Sequence, residues 1–450
     1  MFDRLKSVLM ACALSLAAAL PAAAETLADT LVLAYRNSNL LDQNRAVLRA
    51  ADEDAAQALA SLRPVISYVL QSGYVKTAFG DGTASSLQLS ARLPIYDFGR
   101  GKLGIEIARE TVLATREALV GVEQNVLLGA VQAYFDVKSA SENVAINDNS
   151  VNVIGEALEA AQARFEVGDI TRTEVAQAEA RLAAARAGLA AAAGGLAVAR
   201  EAYKAATGQY PGRLSAAPKA PALPRSLDEA KAIGQRTHPQ VKQAQREVTA
   251  AELGVALAAA QRMPEIDLGA SATNDGDDTT GQIGLQMSQT LYTGGAKSSS
   301  HRQAIARRDQ ARSALLQAGV GIGRDVGNAW SNLTVTRAQI EAIDRQIRAA
   351  TVAYRGISEE ANLGARTTLD VLDAEQELLD AQADRITAEA NLQVGIYSLL
   401  AAMGLLTVDH LNLGVPTYDP AAYYNAVRNA PVTSVQGESL DRVLKAIGKN

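Results

Sequence analysis

Two aspartates, Asp370 and Asp373, are the side chains of this 450-residue chain whose type and spacing point most directly to chemistry. They stand three positions apart in the stretch GARTTLDVLDAEQELLDAQ, Gly364 to Gln382, so on a helix they share one face. Carboxylates that meet in a narrow space favour cations and can raise one another's pKa. A simpler interpretation stays open, because acidic side chains also stabilise the N-terminus of a helix.

This stretch has a near-copy 196 residues earlier, GDITRTEVAQAEARLAAAR, from Gly168 to Arg186. Seven of the 19 positions are identical, and Glu174 takes the place of Asp370. Both copies open with a glycine, Gly168 or Gly364, and glycine permits the left-handed backbone with which many helices end. Each copy therefore predicts a tight turn followed by a returning helix.

The other residues that could do chemistry do not form a site in the sequence. The three histidines are far apart and have no metal-ligand spacing. The stretch Thr293 to Ser299 has Ala296 where a phosphate loop needs a glycine before its lysine. We therefore predict no metal site, no cofactor and no enzyme activity. The histidines are His238, His301 and His410.

Composition narrows the class of protein further. The net charge is −6, from 43 Lys and Arg against 49 Asp and Glu, and no basic stripe appears, so we expect no nucleic-acid partner. Aromatic residues make up only 4%, and much of the hydrophobic content is alanine. This balance is typical of helices that pack closely on other helices.

The N-terminus has the pattern of a secretory signal over residues 1–24, with Arg4 and Lys6 before an apolar run and cleavage after Ala24. Cys12, the only cysteine, lies inside this signal, and the apolar stretch before it is too short for a lipoprotein cleavage site. We expect no later apolar run of the roughly 18 residues that a membrane helix needs. The chain is thus predicted to be exported: periplasmic, secreted, or a β-type outer-membrane protein.

Two long segments without proline, Ile95 to Tyr210 and Glu265 to Val415, favour extended helices. Within them, residues 101–166 and 296–362 predict two helices of about 65 residues, each about 100 Å long. The helix after each glycine turn carries a heptad seam in which every second layer is small. Such seams let neighbouring helices approach closely.

Four short runs have the alternating pattern of strands with one polar and one apolar face. They are Val65 to Tyr74, Ser85 to Leu93, Glu265 to Asn274 and Gln282 to Leu291. Four strands cannot close a membrane barrel, which needs about eight. Several copies of the chain are therefore expected to share one barrel.

These elements recur in the same order, so the chain is predicted to be a tandem repeat: helix, strand, strand, very long helix, turn, helix. The predicted segments are a signal peptide (1–24), a first repeat (25–209), a proline-rich linker (210–226), a second repeat (227–411) and a C-terminal tail (412–450).

The order of elements, the two glycine turns and the LDVLDA phrase resemble TolC-family outer-membrane export channels. The resemblance covers nearly the whole mature chain. It implies a mainly α protein with a small β part, in which three protomers form a 12-stranded outer-membrane β-barrel continued by a periplasmic α-helical coiled-coil tunnel. The linker and the tail would lie at the equator of that tunnel.

The resemblance also implies roles for residues at the two turns. Asp370 and Asp373 match the acids of the family's pore constriction, and Gly168 and Gly364 match the hairpin tips at the tunnel entrance. Thr173, Glu174 and Arg366 fall where the family has gating contacts between neighbouring helices. Glu174 replaces the usual aspartate and Ala361 replaces a tyrosine, so the gate is expected to hold differently or less tightly.

The function implied is a passive trimeric duct for proteins or small toxic compounds, located in the outer membrane and reaching into the periplasm. Its implied partners are a periplasmic adaptor protein, an inner-membrane ABC or proton-driven pump and outer-membrane lipid. The alternative is a cell-surface structural or adhesive coiled-coil protein, which explains the helices and the signal but not the symmetric strands.

Overall fold

The computed structural model describes residues 24–77 and 80–428, together with Arg442 and Ala446. The predicted signal up to residue 23, with Cys12, and most of the tail beyond residue 428 lie outside the described residues. The chain is mainly helical with one small antiparallel sheet, which confirms the predicted fold class.

The helices and strands of the first half are α1 (Leu27–Asn37), α2 (Asn39–Ala60), β1 (Val65–Thr77), β2 (Gly80–Tyr96), α3 (Arg100–Glu166) and α4 (Arg172–Thr207). Those of the second half are α5 (Leu227–Thr237), α6 (Pro239–Ala260), β3 (Glu265–Asn274), β4 (Thr279–Ser288), α7 (Ala296–Asn362) and α8 (Thr368–Ala402). A short helix follows, α9 (Pro420–Val427).

The two very long helices, α3 and α7, each have 67 residues, close to the predicted spans. The single helix predicted before each pair of strands is wrong, because the structure has two, of 11 and 22 residues, in both halves. In the first half, Ser38 takes an extended conformation between them. In the second half, His238 caps the helix that begins at Pro239, which has no backbone N–H to continue α5.

The expectation that no segment after the signal is apolar enough to cross a membrane is wrong for α4. Its most apolar 18-residue window has a mean hydropathy of 1.5, so by length and composition this helix could cross a membrane. Only 11% of that window is buried within the protomer. The helix is rich in alanine, and alanine scores as apolar while also suiting close contact between helices.

The four strands form one antiparallel sheet in the order β1-β2-β3-β4. Its registers set apolar side chains opposite one another, such as Tyr68 opposite Leu89 and Leu268 opposite Leu285. On this sheet Tyr68 is 76% exposed and Leu285 is 70% exposed. The sheet thus leaves a broad apolar surface that the protomer itself does not cover.

The chain divides into two compact units, and each takes segments from both sequence repeats. One contains the chain up to Leu41, Val122–Gln235 and Ile322–Pro416. The other contains Asp42–Gly121, Arg236–Gly321 and the chain from Thr417. The compact units therefore differ from the repeats, and the predicted segment boundaries stay a prediction.

The linker is fixed within the first of these units. Glu25 forms a parallel β-bridge with Leu214, and the Tyr134 hydroxyl donates to the Ser215 carbonyl at 2.9 Å. The buried Tyr203 hydroxyl lies 2.5 Å from a carboxylate oxygen of Glu25. Buried polar groups are thus paired where the linker crosses the helices.

A buried acid, Asp52 on α2, stands out in the second unit. Its side chain is fully buried, and neither carboxylate oxygen has a hydrogen-bond partner among the described residues. Burial raises the pKa of Asp52 to about 6, although Arg116 on α3 acts against this rise. The C-terminal segment packs beside it, where the Tyr423 hydroxyl donates to Glu53 at 2.8 Å.

Replacement of Asp52 should therefore stabilise the protein in a pH-dependent way. A pKa of about 6 in the folded state lies above the unfolded value of about 3.9, so the ionised form costs up to roughly 3 kcal/mol above pH 6. The stability of the folded protein with a neutral Asp52 is fully present at low pH and is lost as the pH rises through 6. We expect Asp52→Asn to raise the thermal unfolding midpoint at pH 7.5 but not at pH 4.

The exposed Asp54→Asn on the same helix is the matched control. An equal shift at both pH values for Asp52→Asn, or no shift at either, would contradict this prediction.

Both returning helices begin with a capping box. The side chains of Thr171 and Thr367 accept from the backbone N–H of Glu174 and Asp370, at 3.4 and 3.2 Å. The carboxylates of Glu174 and Asp370 accept in return from the backbone N–H of the two threonines. These bonds satisfy N–H groups that the first turn of a helix leaves without partners.

Thr367→Ala removes one of these caps and should destabilise the start of α8 by about 1 kcal/mol. We expect faster hydrogen exchange at the backbone amides of residues 368–371. Thr387→Ala is the control, because Thr387 is an exposed mid-helix residue of α8 whose hydroxyl bonds only to the preceding turn. Unchanged exchange in Thr367→Ala would show that the cap does not hold this turn.

Candidate functional site

The two turns between long and returning helices have the same geometry. Gly168 and Gly364 adopt left-handed conformations, with φ of 81° and 79°. In each turn the glycine N–H bonds to the carbonyl three residues back, and the following N–H bonds to the carbonyl five residues back. This is the Schellman pattern that ends a helix. We call residues 164–174 and 360–370 the first and second tips.

Asp370 is committed to the capping box of α8. Its carboxylate accepts from the Thr367 N–H at 3.0 Å and from the Thr367 hydroxyl at 2.9 Å. The backbone bond from Thr367 is the main reason that the pKa of Asp370 is lowered, so the group is ionised at neutral pH. Within one protomer Asp370 therefore acts as an acid that stabilises a helix N-terminus. Its pKa is lowered, whereas clustered acids would raise one another's pKa.

Asp373 has a different partner. It forms an ion pair with Arg181, which lies on α4 and belongs to the hairpin of the other tip. The Asp373 side chain still remains 55% exposed. The pair joins the two returning helices, and sequence reasoning missed it because Arg181 stands outside both glycine turns and its counterpart in the second repeat is Glu377.

The predicted gating residues are not brought together within one protomer. Arg366 donates to Glu360 at 2.8 Å across its own turn, and neither Thr173 nor Glu174 bonds to it. Thr173 is exposed in the first turn of α4, and Glu174 serves in the capping box. The first tip has a comparable ion pair across its turn, between Arg164 and Asp169 at 2.7 Å.

Each tip also carries an exposed apolar side chain directly before its glycine. Val167 is 80% exposed and Leu363 is 86% exposed. The two residues are 196 positions apart, so they occupy the same place in the repeat. Sequence reasoning missed this pair, although the repeat offset was a signal that could have found it.

A cavity of about 220 Å³ lies behind the second tip, between α3, α7 and α8. Ala361, which the resemblance sets in place of a tyrosine, is buried and lines it. The lining includes two polar residues, Tyr354 of α7 and Glu375 of α8, and burial raises the pKa of both. Among the described residues, no cluster of His, Cys, Asp and Glu could hold a metal ion.

Comparison with known proteins identifies the family to which this architecture belongs. The model of the outer membrane efflux protein family matches residues 30–209 and 235–405, which is most of both repeats. The chain is 35% identical over 419 residues to the outer membrane efflux protein BepC of Brucella suis, with 91% of each chain covered. It is 25% identical to the outer membrane protein TolC of Vibrio cholerae, covering 85% of this chain and 92% of the relative.

Solved structures agree in fold. The structure of CusC, described in connection with folding and transmembrane channel formation, matches with a TM-score of 0.76 at 20% identity, over 85% of this chain and 92% of CusC. Channels of the TolC type form trimers and work with adaptor proteins and inner-membrane pumps. The resemblance predicted from the sequence is thus confirmed. The chain belongs to the outer membrane efflux protein family and is a passive outer-membrane export channel rather than an enzyme.

Proposed function

We propose that three copies of this chain bring their second tips to a common axis, where Asp370 and Asp373 line the constriction of the channel. The observation that carries this proposal is the position of Asp373, which remains more than half exposed beside the capped Asp370 on one helix face. Six such carboxylates around one axis would favour cations. Capping and pore lining are compatible, because a capping carboxylate keeps its charge.

The gating contacts of Thr173, Glu174 and Arg366 would then form between neighbouring protomers. Arg366 lies at an exposed turn and, among the residues that the structure describes, pairs with Glu360 alone, so its guanidinium has further N–H groups to donate. Glu174 is longer than the aspartate of the resemblance and already caps α4. A gate built from these residues would hold through fewer or longer bonds than the family pattern implies.

The domain arrangement belongs to the same proposal. After removal of residues 1–24, the repeats 25–209 and 227–411 each supply two strands to a shared 12-stranded barrel and two helices to the tunnel wall. The linker 210–226 and the tail 412–450 surround its middle, supported by the contacts of Leu214 and Ser215 with Glu25 and Tyr134. The exposed apolar surface of the sheet would meet outer-membrane lipid.

The exposed Val167 and Leu363 suit docking of a periplasmic adaptor protein at the tips. Apolar side chains this exposed on a tight turn are available to a partner, and they occur at equivalent places in both repeats. The adaptor would connect the channel to an inner-membrane pump, either an ABC or a proton-driven one. Because the relative BepC is named an efflux protein, we propose small toxic compounds as the substrates, ahead of secreted proteins.

Single-channel conductance in planar bilayers tests the constriction. We expect wild-type trimers to show a small, cation-selective conductance, and Asp370→Ala with Asp373→Ala to lose the selectivity, since the fixed charge of the constriction is gone. The double variant Asp309→Ala with Asp325→Ala on α7 removes the same charge from exposed positions elsewhere and should keep the selectivity. If the Asp370 and Asp373 variant keeps its cation selectivity, these acids do not line the constriction and serve only within the protomer.

Docking at the tips is tested by Val167→Asp with Leu363→Asp. We expect normal conductance of the purified trimer but loss of resistance to toxic compounds in cells, because the charges disfavour burial against an adaptor. Val320→Asp on α7, at another exposed apolar position, is the control and should keep the resistance. Resistance at the wild-type level in the tip variant would contradict docking at this place.

A further inference from the structure

An ion pair joins Arg181 of α4 to Asp373 of α8, one of the two acids of the proposed constriction. The arginine side chain is 41% exposed and the aspartate side chain is 55% exposed, so water and ions reach both groups. A guanidinium is always charged, and its N–H groups match a carboxylate in shape. Arg181 therefore brings a fixed positive charge to the place where the channel is proposed to select cations.

Apolar residues fix the positions of these two charged side chains. Leu182 and Leu372, the direct sequence neighbours of Arg181 and Asp373, belong with Ile154 to one buried cluster. Leu182 is only 9% exposed and Leu372 only 3% exposed. Because this cluster sets the register between α4 and α8, the arginine and the aspartate lie side by side whenever the two helices are packed.

The returning helix α8 supplies no positive charge of its own to this region. From Thr368 to Asp384 it contains six acids and no lysine, arginine or histidine. Arg366, which precedes the helix, forms its ion pair with Glu360 across the turn. Among the residues that the structure describes, Arg181 makes the only ion pair with any of the six acids. These acids are Asp370, Asp373, Glu375, Glu377, Asp380 and Asp384.

The internal repeat does not duplicate this pair. The positions 196 residues away hold Glu377 in place of Arg181 and Gln177 in place of Asp373. The capping boxes and the glycine turns, by contrast, occur in both copies. A contact needed only to build a hairpin would be expected in both copies, so the pair serves a purpose particular to the second tip.

The electrostatic effect of the pair outweighs its effect on packing. An ion pair between exposed side chains adds little stability, because water and salt screen it. Asp370 and Asp373 are only about 4.5 Å apart along the axis of α8, since each residue rises 1.5 Å. This separation is well inside the screening length of about 10 Å in 0.1 M salt. The charge of Arg181 therefore acts on ions at both acids.

We propose that Arg181 sets the net charge of the constriction and thereby its selectivity among ions. This inference rests on the proposed constriction. In a trimer, the six aspartates carry six negative charges, and three copies of Arg181 offset half of them. The channel then favours cations moderately. An uncompensated ring would bind cations more tightly, divalent ones above all, and would slow their release.

Reversal potentials of reconstituted full-length trimers in a KCl gradient test this role. We expect Arg181→Gln to raise the preference for potassium over chloride several-fold, because Asp373 then has no counter-charge. Asp373→Asn should lower the preference, because the arginine then has none. Arg181→Lys keeps the charge and should stay close to the wild type. The matched control is Arg324→Gln, which removes the arginine of another exposed pair, with Asp325 on α7, and should not change the selectivity.

The double variant Arg181→Gln with Asp373→Asn separates charge from packing. It lacks the ion pair but has the net charge of the wild type, so its selectivity should return to the wild-type value. A pair that acted only by tying α4 to α8 would raise the open probability in both single variants and in the double variant, without opposite changes in selectivity. That result would overturn the inference.

Failure of the inference is distinguishable from failure of the constriction. Unchanged selectivity in Arg181→Gln, in a channel that loses its selectivity with Asp370→Ala and Asp373→Ala, overturns the role of Arg181 alone. Selectivity that survives the loss of Asp370 and Asp373 overturns the constriction itself, and the role of Arg181 with it.

Discussion

The turn at which each 67-residue helix reverses determines which side chains of the returning helix face the neighbouring helices. A left-handed glycine ends the long helix, and a capping box three residues later starts the returning one. A shift of one residue would rotate the returning helix by about 100°. The acids of the second tip and the alanine seam that follows would then leave their neighbours, so the turn sets the register of the wall.

The same residues serve this turn and the proposed channel. Asp370 holds the first turn of α8 through Thr367, and the bond from Thr367 lowers its pKa, so the carboxylate keeps its charge. Asp373 reaches across to Arg181, and beneath it Leu372 packs with Ile154, Ala178 and Leu182 in a small buried cluster. The tips are therefore fixed by hydrogen bonds and ion pairs at the surface and by little apolar area below. Such a balance suits the gate proposed here, because modest changes in charge can shift it.

Local patterns in the sequence predicted the long helices, the strands, the glycine turns and the repeat. Periodicity, proline positions and turn glycines act over a few residues, which is why they could be interpreted without knowing the fold. The break at Ser38, the pairing of Asp373 with Arg181 and the burial of Glu375 were missed. The break at Ser38 is a local cap, in which the Ser38 hydroxyl accepts from the backbone N–H of Leu41. The ion pair and the burial depend on which helix lies beside which, and the alanine-rich seams of α4 and α8 are too alike to specify their neighbours.

Convergence of three second tips on one axis is tested most directly by crosslinking. Cys12, inside the predicted signal, is the only cysteine, so an introduced cysteine in the mature chain would be unique. Asp373→Cys in purified trimers, treated with a short bifunctional maleimide, should give covalent dimers and trimers. Val320→Cys, exposed on α7, should give none. Monomers alone from Asp373→Cys, in a preparation that remains trimeric by native mass, would contradict a shared constriction.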